Sequence, residues 1–299
     1  MKIFYIAVQI IIFLALAPLF EGIMRRITAR VQSRQGPPLL QPYMDLFKLL
    51  GKENLDPSGY RTFHWAPMLA FASILAVIAV MPFAGKSNIL SERVDIITVI
   101  YLLTMGGVSV LLGALSSRNS FAQIGASREM ITMIMVEPVL AMTLIIGALK
   151  AESLTLAFAM PGNDSAFTLS MGVMLAAYLM ALQAFVAKQP FDTAEAEIEI
   201  LDGPFIEYSG PNYALYRYYM MLKQMFYAGL MTAVFAPFIM TGIYVLDIVI
   251  HIASTGVVFL LIALVGSTNP RFRIDQAVRF YIFLIAVSLA SVGLTLTGY

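Results

Sequence analysis

Three observations predict an all-α, polytopic membrane protein of about eight transmembrane helices. Of the 299 residues 60% are apolar, only 12% are charged, and uncharged runs recur from one end of the chain to the other. A soluble domain carries about twice that charged fraction, and a helix needs about 20 mainly apolar residues to cross the hydrocarbon core. The runs leave no room for a soluble domain between them, so residues 1–299 are expected to form a single integral membrane domain. The net charge of +1 gives no reason to expect a nucleic-acid partner. The chain has no cysteine. That removes disulfides and denies iron–sulfur clusters their thiolate ligands, so any electron carrier is expected on a partner.

The runs are 3–24, 66–84, 96–115, 130–149, 167–187, 218–240, 243–266 and 278–298. The first is read as a span rather than a signal peptide: it is long, no small-residue cleavage site follows, and Arg25 and Arg26 form a stop-transfer flank. The sixth and seventh are divided at Thr241-Gly242 because one helix over both would overshoot the bilayer.

Basic residues test the count. The loops after spans one, three, five and seven hold Arg25, Arg26, Arg30, Arg34, Lys48, Lys52, Arg61, Arg118, Arg128, Lys188, Arg217, Arg271, Arg273 and Arg279, 14 of the 19 Lys and Arg. By the positive-inside rule these loops face the cytoplasm and both termini lie on the outer side of the cell membrane. In the first of these loops, after Gln35-Gly36-Pro37-Pro38, apolar side chains at 43, 46, 47 and 50 share one helical face. This predicts a short amphipathic helix ending near Gly51, lying in the interface or on a partner.

Between Gln189 and Tyr216 stand Asp192, Glu195, Glu197, Glu199, Asp202 and Glu207 without a Lys or Arg. If the chain is helical from Asp192, positions 192, 195, 199 and 202 fall within about 80° of one another and Glu197 points away. Like charges so placed repel, so they are expected to pack against arginines of loop one or of loops three and seven. Locally, Asp192 after Pro190 reads as an N-cap with Glu195 as its capping-box partner.

In span four Glu129 is expected at the cytoplasmic start and Glu137 about two turns deeper, where a bare carboxylate costs about 2.5–3.5 kcal/mol. Pro138 deprives the carbonyl of Ile134 of its helical partner and predicts a hydrated kink. An acid there suits a proton relay; a protonated Glu137 bonded to a neighbouring helix is the plainer alternative. Lys223 is a further relay candidate, with snorkelling as its competitor. Asp247 and His251, four apart, read as an ordinary interfacial pair. Among the motifs there is no phosphate loop, no histidine cluster with metal spacing and no nucleophile with its base.

Four stretches carry a resemblance: RVQSRQGPPLLQPYMDLFKLLGKE from Arg30, GASREMITMIMVEP from Gly125, PFDTAEAEIEILDGPFIEYSG from Pro190 and NPRFRIDQ from Asn269. Together they resemble the family of respiratory complex I membrane subunit 1 and its relatives in ion-pumping, energy-converting [NiFe] hydrogenases. The direct run from Gly36-Pro37-Pro38 into Leu39-Leu40-Gln41-Pro42, the GASRE form and Leu222-Lys223-Gln224 are similar to the hydrogenase side. The resemblance implies eight spans and a hydrophilic arm with a [NiFe] centre and iron–sulfur clusters docked on the cytoplasmic loops, no cofactor or metal being expected on this chain. It further implies antiporter-like membrane partners, and a path linking redox events to them through Glu137, Asp192, Glu195, Glu199 and Glu207. Glu129, Asp202 and Lys223 are added to that path as candidates. Arg25, Arg26, Arg30, Arg34, Arg271 and Arg273 are the candidates for arm docking and ion pairing. The expected function is that of a non-catalytic subunit coupling ferredoxin oxidation and H2 evolution to H⁺ or Na⁺ export. A quinone-site subunit of a complex I-like dehydrogenase, a stand-alone transporter and a purely structural anchor are the alternatives.

Overall fold

The computed structural model describes residues 2–159, 168–236 and 239–298. The side chains of residues 197 and 198 lie outside the described residues, and with them the expected direction of Glu197. So do residue 167 and residues 237–238, at the edges of the fifth and sixth expected spans.

Among the described residues, eight long helices take the places of the eight expected spans: α1 (Lys2–Val31), α3 (Arg61–Val80), α4 (Ile96–Ser116), α5 (Ser120–Ala151), α7 (Leu169–Phe185), α9 (Gly210–Phe235), α10 (Tyr244–Thr268) and α11 (Ile274–Leu296). Short helices α2 (Gln41–Leu50), α6 (Leu156–Ala159) and α8 (Glu197–Ile200) lie between them. Six, α1, α3, α4, α5, α10 and α11, are long and apolar enough to cross a membrane. Helix α7 has 17 residues, and α9 carries Arg217, Lys223, Asn212 and five tyrosines along its 26 residues.

Packing explains why α9 tolerates that polarity. Helices α1, α3, α4, α5, α11, α7 and α10 touch in that order and close back on α1, while α9 packs on α1, α3, α7 and α10 inside the ring. Charges that would be costly against lipid are therefore enclosed by protein. Small residues on α4 admit the tyrosines of α9: a Cβ at Gly113 would sit 2.3 Å from the Tyr216 hydroxyl.

Two helices extend far beyond their expected spans. Helix α1 runs to Val31, and α5 starts at Ser120, where the Asn119 side chain accepts from the Phe121 N–H at 2.8 Å. At 1.5 Å per residue each is longer than the roughly 30 Å hydrocarbon core. Glu129 is consequently not at a helix start but more than two turns inside one.

Helix α2 is present and capped at Gly51. Pro42 and Leu46 are buried against the bundle, whereas Leu40, Met44, Phe47 and Leu50 are exposed. Positions 43, 46, 47 and 50 share one helical face as expected, with Leu46 turned into the bundle, where α2 packs on α1 and α9, and Phe47 and Leu50 left exposed.

Candidate functional site

At the end of the bundle where α1 finishes and α9 begins lies a cavity of about 630 Å³. Its walls carry four carboxylates, Glu21, Asp192, Glu195 and Asp202, and five cations, Arg25, Arg34, Lys188, Arg217 and Arg271. Contributions come from α1, α9 and α10 and from three connections, residues 32–40, 186–209 and 269–273.

The acid-rich connection is not the helix that the spacing predicts. Only residues 197–200 are α-helical, followed by Leu201 at φ 58° and a 3-10 turn over Gly203–Phe205 in which Gly203 has φ 50°. A Cβ at Gly203 would come within 2.0 Å of the Ala194 carbonyl oxygen, so this reversal needs glycine for its left-handed backbone and its close approach. Folding back lets the acids reach different cations, where one helix face would hold them in mutual repulsion. Asp192 is accordingly no N-cap: its carboxylate takes two bonds from Arg271, at 2.8 and 2.5 Å. Asp202 accepts from the Tyr213 hydroxyl at 2.9 Å. Glu199 turns away from the cavity to Arg128, at 2.5 Å, and Glu207 accepts from Asn119 Nδ2 at 2.5 Å. These last two do not join the others.

Glu195 has part of its surface open to the cavity and is otherwise enclosed. Burial pushes its carboxyl from the usual 4.5 up to about 7; the carboxylates of Asp202 and Glu129 act in the same direction, while Lys188 and Arg217 oppose it. Glu195 therefore exchanges a proton near neutral pH, and it feels the charge of Glu129 in the bundle behind it.

Glu21 is a member of the site that the sequence motifs did not reveal. It is 3% exposed; its Oε1 accepts from Arg25 at 3.1 Å and Lys188 at 3.3 Å, while Oε2 has no hydrogen-bond partner. The available signal was a lone acid in the otherwise uncharged run from Ile3 to Met24. Arg25 also reaches Asp45 of α2 at 3.3 Å, which ties that helix to the cavity. Arg217 belongs to α9 and not to a loop. Arg26 and Arg30 are exposed, Arg34 is exposed at the cavity mouth, and Arg273 is exposed at the start of α11.

Deeper in the bundle, Lys223 of α9 stands 3.9 Å from Glu129 of α5, each side chain 16% exposed. At an effective dielectric of about 20 that attraction amounts to about 4 kcal/mol. Glu137, two turns along α5, accepts from Thr104 at 3.1 Å. All three line a cavity of about 30 Å³, the share of one water. Lys223 thus faces the interior. Asp247 and His251 do not pair: Asp247 accepts from the Thr241 and Gly242 N–H groups, and His251 meets Thr232 at 3.3 Å and the edge of Phe83.

The family model described as NADH dehydrogenase matches residues 3–296. Formate hydrogenlyase subunit 4 of Escherichia coli is 32% identical over 97% of this chain and 99% of its own length. Hydrogenase-4 component C of the same organism is 35% identical over 89% and 87%. A subunit of the NADH-quinone oxidoreductase of Dehalococcoides mccartyi is 29% identical over 93% of this chain and 81% of its own length. Among solved structures, a chain of the membrane-bound sulfane sulfur reductase, an archaeal respiratory membrane complex, superposes with a TM-score of 0.87 at 25% identity, over 98% of this chain and 99% of that one. With a family match over almost all its length and two relatives above 30% identity, this chain belongs to the NADH dehydrogenase subunit 1 family.

Proposed function

We propose that this chain, a membrane subunit of a complex I-like, hydrogenase-4-type respiratory complex, couples a redox reaction on docked hydrophilic subunits to ion export through its buried charges. The reaction is ferredoxin oxidation with H2 evolution at a [NiFe] centre on a partner, and the exported ion is H⁺ or Na⁺. The termini face outward, the large cavity opens toward the arm on the cytoplasmic side, and antiporter-like membrane subunits receive the signal.

One observation carries this reading. Glu195, poised near neutral pH in a cavity of paired charges, is electrostatically linked to Glu129, which in turn faces Lys223 and Glu137 inside the bundle. A charge change at the cavity therefore alters the cost of charge in the interior, where screening is weak. Near-full-length similarity to formate hydrogenlyase subunit 4 and hydrogenase-4 component C supports the hydrogenase assignment. The charged cavity walls differ from the largely apolar lining that suits a quinone or similar ligand.

The test uses the complex purified in mild detergent, in which a large [NiFe] subunit is expected to co-purify, and reconstituted in liposomes. Reduced ferredoxin drives H2 evolution while a dye reports the ion gradient. Glu137→Gln is expected to retain H2 evolution and lose the gradient. Full pumping by this variant would reduce the chain to an anchor.

A further inference from the structure

At the end of the bundle opposite the large cavity, a space of about 130 Å³ lies between the last turns of α5, the first turns of α7, the end of α9 and Phe158 of α6. Ile146, Phe158, Met171, Met174, Val234 and Phe235 give it apolar walls, and Lys150 is the one charged residue that lines it. Thr143 adds no free polar group, because its hydroxyl donates to the Val139 carbonyl at 2.8 Å. The two methionines make the walls adaptable in shape. Helix α5 is long and apolar enough to span the membrane, so its end at Ala151 brings this space to a membrane surface.

Lys150 lacks what a cation in such surroundings needs. Its ammonium donates to the Thr168 hydroxyl at 2.5 Å, which uses one of its three N–H donors. No carboxylate lines the space, and among the described residues none lies within 4.0 Å of the ammonium. Charges set against apolar walls are ordinarily paired. Thr168 in turn meets the Ser170 hydroxyl at 2.9 Å, so two hydroxyls stand beside the ammonium. The lip of the space is apolar and open: Phe158 is 66% exposed although it lines the cavity, and Leu169, next to Thr168, is 64% exposed.

We infer that this cavity binds a single-chain amphiphilic carboxylate, a fatty acid taken from the adjoining leaflet. Charge complementarity fixes the sign of the head: the ammonium with donors to spare, flanked by hydroxyls, binds the two oxygens of a carboxylate and repels a cationic head. Volume fixes the chain. An apolar cavity of about 150 Å³ takes up a molecule the size of benzene, so this one holds the first methylenes of one chain and has no room for two. The remainder of the chain leaves over Phe158 and Leu169 into the bilayer. A phospholipid fits less well, because glycerol separates its phosphate from both tails, whereas Lys150 stands one helical turn from Ile146 and its charge adjoins the apolar wall directly. Mostly apolar lining with a few converging polar groups is the common pattern of small-molecule sites.

The experiment uses the intact complex in phosphatidylcholine nanodiscs and decanoic acid with a photoreactive diazirine on its chain, the labelled residues being read by mass spectrometry. Saturable labelling around Met171 and Met174 is expected, displaced by plain decanoate and not by decyltrimethylammonium. Lys150→Gln is expected to raise the half-saturating concentration about tenfold, and Val234→Phe, which fills the space, to remove the labelling. Residues 160–167, outside the described residues, hold one acid in the sequence, Asp164; Asp164→Asn is expected to leave the labelling unchanged. Labelling that appears only in this last variant would show that the chain's own carboxylate serves Lys150, and would overturn the site. Undiminished labelling in Lys150→Gln, equal displacement by decyltrimethylammonium or labelling that never saturates would also overturn it. None of these readouts depends on ion pumping, so the outcome is separate from that of the coupling role.

Discussion

Replacing Glu195 with Gln removes an acid of the large cavity whose carboxyl burial pushes up to about 7. A rise from 4.5 to about 7 corresponds to about 3 kcal/mol at about 1.4 kcal/mol per pH unit, an upper value because part of the carboxyl meets water in the cavity. The sign follows from linkage: the folded chain holds this proton more tightly than the unfolded one. The stabilisation is complete below about pH 4.5 and is lost as the pH rises through about 7. In detergent, the unfolding midpoint of the native protein is therefore expected to fall relative to Glu195→Gln between about pH 5 and pH 8. Infrared difference spectra of the native protein minus the variant report the group itself. The protonated-carboxyl band is expected to fade with a midpoint at about pH 7, from about nine-tenths protonated at about pH 6 to about one-tenth at about pH 8. A midpoint below about pH 5.5 would place Glu195 in ordinary water and refute the reasoning.

Two further outcomes test the packing around the site. The Asp192–Arg271 pair, with side chains 14% and 20% exposed, is buried enough that Asp192→Ala should cost close to the lower end of the about 3–5 kcal/mol range for a broken buried pair. Unfolding in detergent measures it, and a loss under about 1 kcal/mol would mean that cavity water already screens the pair. At Gly147 an added Cβ would lie 1.9 Å from the Ala159 carbonyl oxygen, whereas at Gly256 it would meet Phe20 at an ordinary 3.5 Å. Gly147→Ala is expected to destabilise by about 3 kcal/mol and Gly256→Ala to leave the unfolding midpoint nearly unchanged; equal effects would contradict the α5–α6 contact.

Span positions were legible in the sequence because hydropathy over a helical length is a property of each segment alone. Helix ends were less so. The extensions of α1 to Val31 and of α5 back to Ser120 run through polar residues, and only tertiary contacts and the Asn119 cap hold them helical. The acid-rich connection misled for a related reason. Its spacing is compatible with one helix face, but Gly203 and Leu201 reverse the chain, so Asp192, Glu195 and Asp202 reach the cavity by folding and not by periodicity. Glu199 and Glu207 then fall outside it. Glu21 and Arg217 stayed hidden because each was absorbed into a larger pattern, an apolar run and a count of loop charges.

The central position of α9 gives the site its reach. That helix brings Arg217 to the large cavity and Lys223, less than two turns further along, to Glu129 and Glu137. Two of the cavity's other acids are held by cations, Asp192 by Arg271 and Glu21 by Arg25 and Lys188. Glu195 is set by burial and the carboxylates of Asp202 and Glu129 on one side and by Lys188 and Arg217 on the other. In the proposed complex, a unit negative charge appearing about 8 Å from it would be worth about 2 kcal/mol at an effective dielectric of about 20. That is enough to take Glu195 from half to almost fully protonated. The proton so captured removes a negative charge from the surroundings of Glu129, whose own attraction to Lys223 is about twice as large, at about 4 kcal/mol.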